Sequence, residues 1–193
     1  MPSYVPLQRR RREGVTDFRA REKAIISRSP LLVVRISDKN VSAQFVSPKV
    51  EGDKVLSSAH SRQLLKLGWR GSAKSTPACY LLGMLAGKKA LKSGVTNAVL
   101  YSGVAPFIKG SRVAAVVKGV VDAGVAVPVG EGVVPSEERL TGKTIAEFAA
   151  KLAKEDRKLY QSRFSAILKR GSKPEDYPAD FEKVRAAIGG GKK

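Results

Sequence analysis

The sequence predicts an α/β fold: a βββαβα core built on a mixed four-stranded sheet, with a basic N-terminal arm and a helical C-terminal extension. Three observations predict it. Residues 31–47 read LLVVRISDKNVSAQFVS, two apolar, β-branched runs around a polar Asp38-Lys39, which is a hairpin pattern. Two stretches, 76–92 and 112–123, repeat apolar residues at helical spacing and stop at Gly94 and Gly124. A strand-like run, 95–101, lies between them, so a right-handed crossover returns it parallel to the first strand. The organisation that follows is 1–29 for the arm and a short helix, 30–129 for the core, and 130–193 for a loop and the extension.

The bulk chemistry limits what such a fold can do. The 193 residues are 42% hydrophobic, enough for a real core, yet the net charge is +19 and the pI near 10.3. That imbalance opposes compaction and implies a polyanionic partner, nucleic acid before anionic membrane. No apolar run approaches the roughly 18 residues that cross a bilayer. No apolar signal core follows the N-terminal arginines, so a cytoplasmic location is expected. The single cysteine, Cys79, forms no internal disulfide, and with the single histidine, His60, it leaves no Cys/His zinc site. No cofactor and no small-molecule substrate are expected. The charge is also spread out, at +5 over residues 1–30, +7 over 31–138 and +7 over 139–193.

In chain order, residues 1–15 hold Tyr4, Pro6 and the block Arg9-Arg10-Arg11-Arg12 without apolar periodicity, and are expected to order only on binding. Thr16 or Asp17 caps a helix reaching Ile25 and ending near residues 27–29, kept basic by Arg19, Arg21, Lys23 and Arg28. An arginine block is often a localisation signal or a solvated tail. Placed ahead of a basic helix and a folded domain, this one reads as an RNA-anchoring arm.

A two-residue turn in the hairpin sets Ser37 opposite Asn40 and Arg35 opposite Ser42. Leu32, Val34, Ile36, Val41, Ala43 and Phe45 then share the face to be buried. Arg35, Ser37, Asn40, Ser42 and Gln44 share the other, with Leu31, Val33 and Val46 toward its open end. Such a polar face is either a solvated surface or one that meets phosphate, ribose and base edges.

A third strand spans 54–59, and 61–74 are irregular or a short helix around Leu64, Leu65 and Leu67. Thr76 is placed to cap the next helix with Pro77 at its first position, and Lys88, Lys89 and Lys92 suit its C-terminus. Gly83 and Gly87, one turn apart, let that helix approach a sheet closely. The run 95–101 is apolar at its centre and is expected to be central or covered. Val113, Val116, Val117 and Val120 mark the buried stripe of the following helix. Residues 130–142 are loop-like. The capping box Thr144-Ile-Ala-Glu147 opens a long helix that ends at Gly171. Tyr177, Phe181, Val184 and Ile188 stripe the last helix, and a mobile Gly-Lys tail follows.

Catalytic chemistry is not supported. The run 71–76 has Lys74-Ser75 before a helix, but of the two glycines a phosphate loop needs only Gly68 is present, Ala73 stands in place of the other, and no convincing buried strand precedes it. The βββαβα order is that of RNase H-type nucleases, whose metals need carboxylates on the central strands. Here the strands carry Arg35 and neutral residues, Asp38 sits in a turn, and Asp122 reads as a solvated acid late in a helix. His60 reads as packed or hydrogen-bonded rather than as a base. Lys109-Gly110-Ser111-Arg112 is more informative: a Cβ-free residue, a capping hydroxyl and two cations at a helix N-terminus suit phosphate, the alternative being a plain capped loop.

These residues together resemble large-subunit ribosomal protein eighteen in its archaeal and eukaryotic form. The similarity runs through the tetra-arginine arm with Thr16-Asp17, Arg35-x-Ser37-x-Lys39-x-Val41-x-Ala43-Gln44, Ser58-Ala59-His60, Tyr80 to Gly87, Gly110 to Val113 and Lys118 to Gly124. The stretch from Tyr160-Gln-Ser-Arg-Phe-Ser165 to Ile188 looks like the extension that bacterial members lack. The resemblance implies a structural protein that binds 5S rRNA and docks it on large-subunit rRNA at the central protuberance, beside neighbouring ribosomal proteins. It implies contacts from the arm, from the hairpin's polar face with Lys39, and from Lys109, Gly110, Ser111 and Arg112. A transient assembly factor and a nuclease are the rival readings. The tip departs from the family pattern, with Asp38-Lys39-Asn40 in place of Asn-Lys-His, and Asp38 is not expected to face phosphate.

Overall fold

The structure is a computed structural model that describes residues 6–190, so Tyr4 of the arm and residues 191–193 of the tail lie outside it. Side-chain alternation fixes its sheet. Strands β1 (Leu31–Ile36) and β2 (Val41–Ser47) pair antiparallel with Leu32 opposite Phe45 and Arg35 opposite Ser42. The Ser37 N–H donates to the Asn40 carbonyl at 2.8 Å, closing the tight Asp38-Lys39 turn. Strand β3 (Lys54–His60) pairs antiparallel with β2, with an irregularity between Phe45 and Val46. Strand β4 (Val99–Tyr101) pairs parallel with β1, and the order is β3-β2-β1-β4. The core is therefore α/β with a mixed four-stranded sheet.

β4 departs from its expectation as a central strand. It is a short edge, with Val99 45% exposed. The earlier part of its apolar run leaves the ladder: the Ala126 N–H donates to Thr96 and the Ala98 N–H to Ala126, both at 2.9 Å. The hairpin faces are as read except at their ends. Leu32, Val34, Val41, Ala43 and Phe45 are buried, but Ile36, the last residue of β1 before the exposed turn, is 36% exposed. Leu31 and Val46, opposite each other on the other face, are buried at the end of the sheet to which the arm helix is tied.

Helix α1 (Arg9–Arg12) is a single exposed turn where none was expected, with an Arg9–Glu13 ion pair one turn apart at 3.6 Å. Helix α2 (Phe18–Ser27) starts on Asp17, whose carboxylate accepts the Ala20 N–H at 3.0 Å, and ends on Arg28 at φ +54°. After β3 comes the short α3 (Arg62–Lys66). Helix α4 (Thr76–Lys92) covers the apolar sheet face along β2 and β3, and α5 (Arg112–Asp122) packs on α4. The cap of α4 is Ser75 rather than Thr76, because the Cys79 N–H closes the first helical bond on the Ser75 carbonyl at 2.9 Å. The glycines of α4 approach α5, not the sheet. A Cβ on Gly119 would stand 3.1 Å from the Gly83 Cα, and one on Gly87 would stand 2.6 Å from the Ala123 Cβ.

The C-terminal part holds the largest corrections. A short α6 (Glu137–Thr141) occupies the expected loop and buries Leu140. Gly142, at φ +86°, ends α6 and opens α7 (Lys143–Glu155). Because Ile145 and Ala146 donate to the Gly142 carbonyl at 3.1 Å, Thr144 is already inside the first turn and makes no capping box. The single long helix is three, with α8 (Arg157–Arg163) and α9 (Ser165–Leu168) after α7. Asp156 makes the break: its carboxylate accepts the Lys158 and Leu159 N–H groups at 2.9 and 3.0 Å, a local bond that competes with helix continuation. A turn at Pro174–Asp176 leads to α10 (Tyr177–Gly189), which buries Tyr177, Phe181, Val184 and Ile188 against α4, α6 and α7.

Candidate nucleic-acid interface

α4 covers one face of the sheet; the face carrying Arg35 is open toward the hairpin tip. Arg35 is exposed, and Ser42 and Gln44 are half-buried beside it. β3 adds His60 opposite Ser42 and Ser58 opposite Gln44, and β4 adds Tyr101 opposite Val33. The His60 Nδ1 accepts the Arg62 N–H at 3.2 Å, which assigns the ring a hydrogen-bonded place. At the tip, the Ser37 hydroxyl donates to the Asn40 carbonyl at 2.9 Å and accepts the Asn40 N–H at 3.1 Å. The Asn40 Oδ1 accepts the Ser61 hydroxyl at 3.2 Å. Ser37 and Asn40 thus brace the turn, while Asp38 and Lys39 project into solvent.

β1 runs on past Tyr101, the last residue of β4, and the loop 102–107 turns away from it. A groove of about 640 Å³ opens between them, with Arg35, Ser42, His60, Tyr101 and Phe107 around it and Val15 of the arm at its edge. No acidic residue lines it among the described residues. Sequence reasoning placed Arg35 and Ser42 here but not Tyr101, Phe107 or Val15. Tyr101 was legible only as the last residue of a strand; that its partner strand outruns it is a tertiary fact.

The loop before α5 forms a second cationic spot. Gly110 has φ +65° and its N–H donates to the Val133 carbonyl at 2.8 Å, so this loop is pinned to the segment before α6. The Ser111 hydroxyl accepts the Ala114 N–H at 3.4 Å and caps α5, as the sequence indicated. Lys109 and Arg112 are exposed. A third cation joins them, since a Cβ on Gly110 would stand 3.5 Å from the Arg139 guanidinium. Arg139 belongs to the extension, and nothing in its own neighbourhood marks it.

Arg9 to Arg12, Arg19, Lys23 and Arg28 are exposed along the arm and α2. Arg21 faces inward. Its guanidinium donates to the Asp53 carboxylate at 2.8 and 3.1 Å and to the Lys49 carbonyl at 3.2 Å. That bond holds the Asp53 carboxyl below the ordinary aspartate range against the opposing pull of burial.

The groups that could carry other chemistry are engaged. Asp122, expected as a solvated acid, accepts both Lys118 Nζ and the Tyr80 hydroxyl at 2.8 Å, and burial with that bond pushes Tyr80 up to about 12. Cys79 is buried, which pushes its thiol up to about 12 and keeps it protonated. Among the described residues no three His, Cys, Asp or Glu side chains cluster to hold a metal, and no helix is long and apolar enough to cross a membrane.

Residues 4–99 match the family model of ribosomal large subunit proteins 60S L5 and 50S L18. The chain is 47% identical over 184 residues to the large ribosomal subunit protein uL18 of Thermofilum pendens, covering 95% of this chain and 93% of the relative. To uL18 of Methanothermobacter thermautotrophicus it is 47% identical over 187 residues, covering 97% and 96%. To uL18 of Metallosphaera sedula it is 45% identical over 192 residues, covering 100% and 98%.

Proposed function

The chain belongs to the ribosomal large-subunit family of 60S L5 and 50S L18, and from that premise we propose that it docks 5S rRNA onto large-subunit rRNA at the central protuberance. It is a structural, non-catalytic, rRNA-binding protein of the large ribosomal subunit, working in the cytoplasm. The observation that carries the 5S reading is the open sheet face, where Arg35 is exposed with Ser42 and Gln44 half-buried beside it, in a chain whose arm adds further exposed cations. Phosphate and ribose contacts position an RNA, and a strongly basic surface supplies most of the affinity.

In this reading the core is an RNase H-like sheet whose metal-binding carboxylates are replaced by Arg35 and neutral residues. Arg9 to Arg12, Arg19, Lys23, Arg28, Arg35, Lys39 and Gln44 face 5S rRNA. Ser37, Asn40 and Ser42 meet the RNA from the same face, Ser37 and Asn40 while bracing the turn, and Arg21 adds a cation although Asp53 holds it. Lys109, Gly110, Ser111 and Arg112 hold a phosphate, and the C-terminal extension meets large-subunit rRNA and neighbouring ribosomal proteins.

The test is co-sedimentation and salt titration. The protein should travel with mature large subunits at one copy each and leave with 5S rRNA when that RNA is stripped. Changing Arg9 to Arg12 to alanine should flatten the log–log salt dependence of 5S binding by roughly 0.7–0.9 for every phosphate left without its arginine. Sedimentation with precursor particles alone would replace this reading with that of a transient assembly factor.

A further inference from the structure

We propose that the groove between β1 and the loop 102–107 receives one unstacked RNA base, held against Tyr101 and Phe107. The proposal rests on the rRNA-binding reading and adds to it which state of RNA this site takes: a splayed-out, unpaired nucleotide rather than a helical backbone.

The groove follows from strand lengths. β4 pairs β1 only as far as Val33, and the chain turns away through Gly103 at φ +67°, leaving the edge of Val34 to Ile36 that faces away from β2 without a strand beside it. Its volume of about 640 Å³ lies in the range that encloses a small ligand.

Its lining separates the possible occupants. A phosphate needs donors and gains nothing from apolar walls. Here Val33, Val104 and Phe107 line one part, and Phe107 is 41% exposed. A peptide adding as a strand needs a long free edge, and three residues give too few ladder bonds to hold one. A base needs a ring to stack on and polar groups for its edge. Tyr101 and Phe107 supply the rings, while the Arg35 guanidinium, the Ser42 hydroxyl and the His60 imidazole supply the edge and a cation. Six aromatic residues are held in pairs, Trp69 with Tyr177, Tyr80 with Phe181 and Tyr160 with Phe164, and neither groove ring belongs to one of these. The absence of acidic lining and the net charge of +19 complete the match to a polyanion.

The test uses the full chain and 5S rRNA. Tyr101→Leu with Phe107→Leu keeps the groove apolar and removes both rings. The variant should bind about tenfold or more weakly, on the scale of one base stack removed, with an unchanged salt slope. Base-specific chemical probing should show one unpaired nucleotide protected by the parent and reactive with the variant. Emission from the buried Trp69 verifies that the fold is intact. Unchanged affinity and reactivity overturn the proposal while leaving 5S binding standing. A parent chain that fails to bind 5S rRNA removes the underlying reading instead. A photo-cross-linker at Val104 in assembled subunits should capture RNA, and capture of a protein segment overturns the base site in favour of strand addition.

Discussion

Lys88 Nζ donates to the Ile188 carbonyl at 2.6 Å and to the Gly189 carbonyl at 2.9 Å, so a lysine of α4 caps the last turn of α10, 100 residues further along. Side chains just before and at the start of α10 also bond the backbone of the loop ahead of α4. Arg170 donates to the Gly71 carbonyl at 2.8 Å, and the Tyr177 hydroxyl accepts the Ser72 N–H at 2.8 Å. Helix C-termini favour cations, and here a neighbouring helix supplies one.

Lys88→Met keeps the aliphatic stem and removes the donor. Hydrogen bonds to charged groups contribute about 1.5–3 kcal/mol, and exposure at this end lowers that, so a loss of about 1–2 kcal/mol is expected on denaturation. Amide exchange should rise in α10 well before α5. A uniform rise across both helices would mean that the apolar stripe alone docks α10.

The α4–α5 crossing should be intolerant of a single methyl. Alanine in a helix interior ordinarily stabilises by up to about 1 kcal/mol over glycine. Gly83→Ala should reverse that sign, because its Cβ would meet the Val116 carbonyl backbone, and a net loss of about 2 kcal/mol or more is expected. Gly189→Ala meets nothing within 4 Å and should be neutral or slightly stabilising. Urea denaturation of the two variants gives the comparison.

Docking of α2 should be acid-sensitive. Arg21 lowers the Asp53 pKa, and a carboxylate lowered in the folded state adds stability that is complete above its unfolded pKa of about 3.9. That stability is lost as pH falls through the lower, folded value. The pair is partly exposed, so at most about 1 kcal/mol is involved. Carboxyl NMR of Arg21→Ala should show Asp53 titrating in the ordinary range, and α2 amides should lose protection in that variant at neutral pH. A titration identical to the parent's would assign the lowered value to another group.

What was legible in the sequence was mainly what a local period dictates, with the Asp17 and Ser111 caps, whereas the caps read at Thr76 and Thr144 were displaced. The hairpin register followed from strict alternation, since a slip of one residue would bury Arg35 and expose Phe45. The stripe from Tyr177 to Ile188 and the Ser111 cap are equally local. Most of the illegible parts were decided by partners distant in sequence, and one by a local bond without a distinctive pattern. The run 95–101 has a central strand's composition, and only the Ala126 backbone drawing away Thr96 and Ala98 shortens it to an edge. Gly83 and Gly87 announced a close approach, but the sheet expected there is in fact α5, which only the tertiary packing decides. Asp156 looks like any polar residue on a solvated helix until its carboxylate caps the next one.

The two faces of the hairpin should separate stability from binding. Phe45 is fully buried, and Phe45→Ala should cost about 3–5 kcal/mol. Arg35→Ala and Gln44→Ala should leave the melting temperature nearly unchanged while weakening binding to 5S rRNA. Melting losses confined to Arg35 and Gln44 would place RNA on the opposite side of the sheet.

The loop before α5 tests whether the cations there bind phosphate or merely surround a cap. Gly110→Val cannot decide it, because φ +65° strains any branched residue whatever approaches from outside. Lys109→Ala with Arg112→Ala avoids this, since both side chains are exposed and exposed charges contribute little to folding. Stability should change by less than about 1 kcal/mol. Arg139, near Gly110 through the Val133 linkage, should behave as a third member, so adding Arg139→Ala should weaken RNA binding further. The salt slope should fall by roughly 0.7–0.9 for every phosphate that these side chains no longer neutralise. Hydroxyl-radical footprinting should show one backbone site deprotected in the double variant and no other change. Footprints that superimpose on the parent's would reduce Ser111 to a helix cap and leave Lys109, Arg112 and Arg139 as solvated charge.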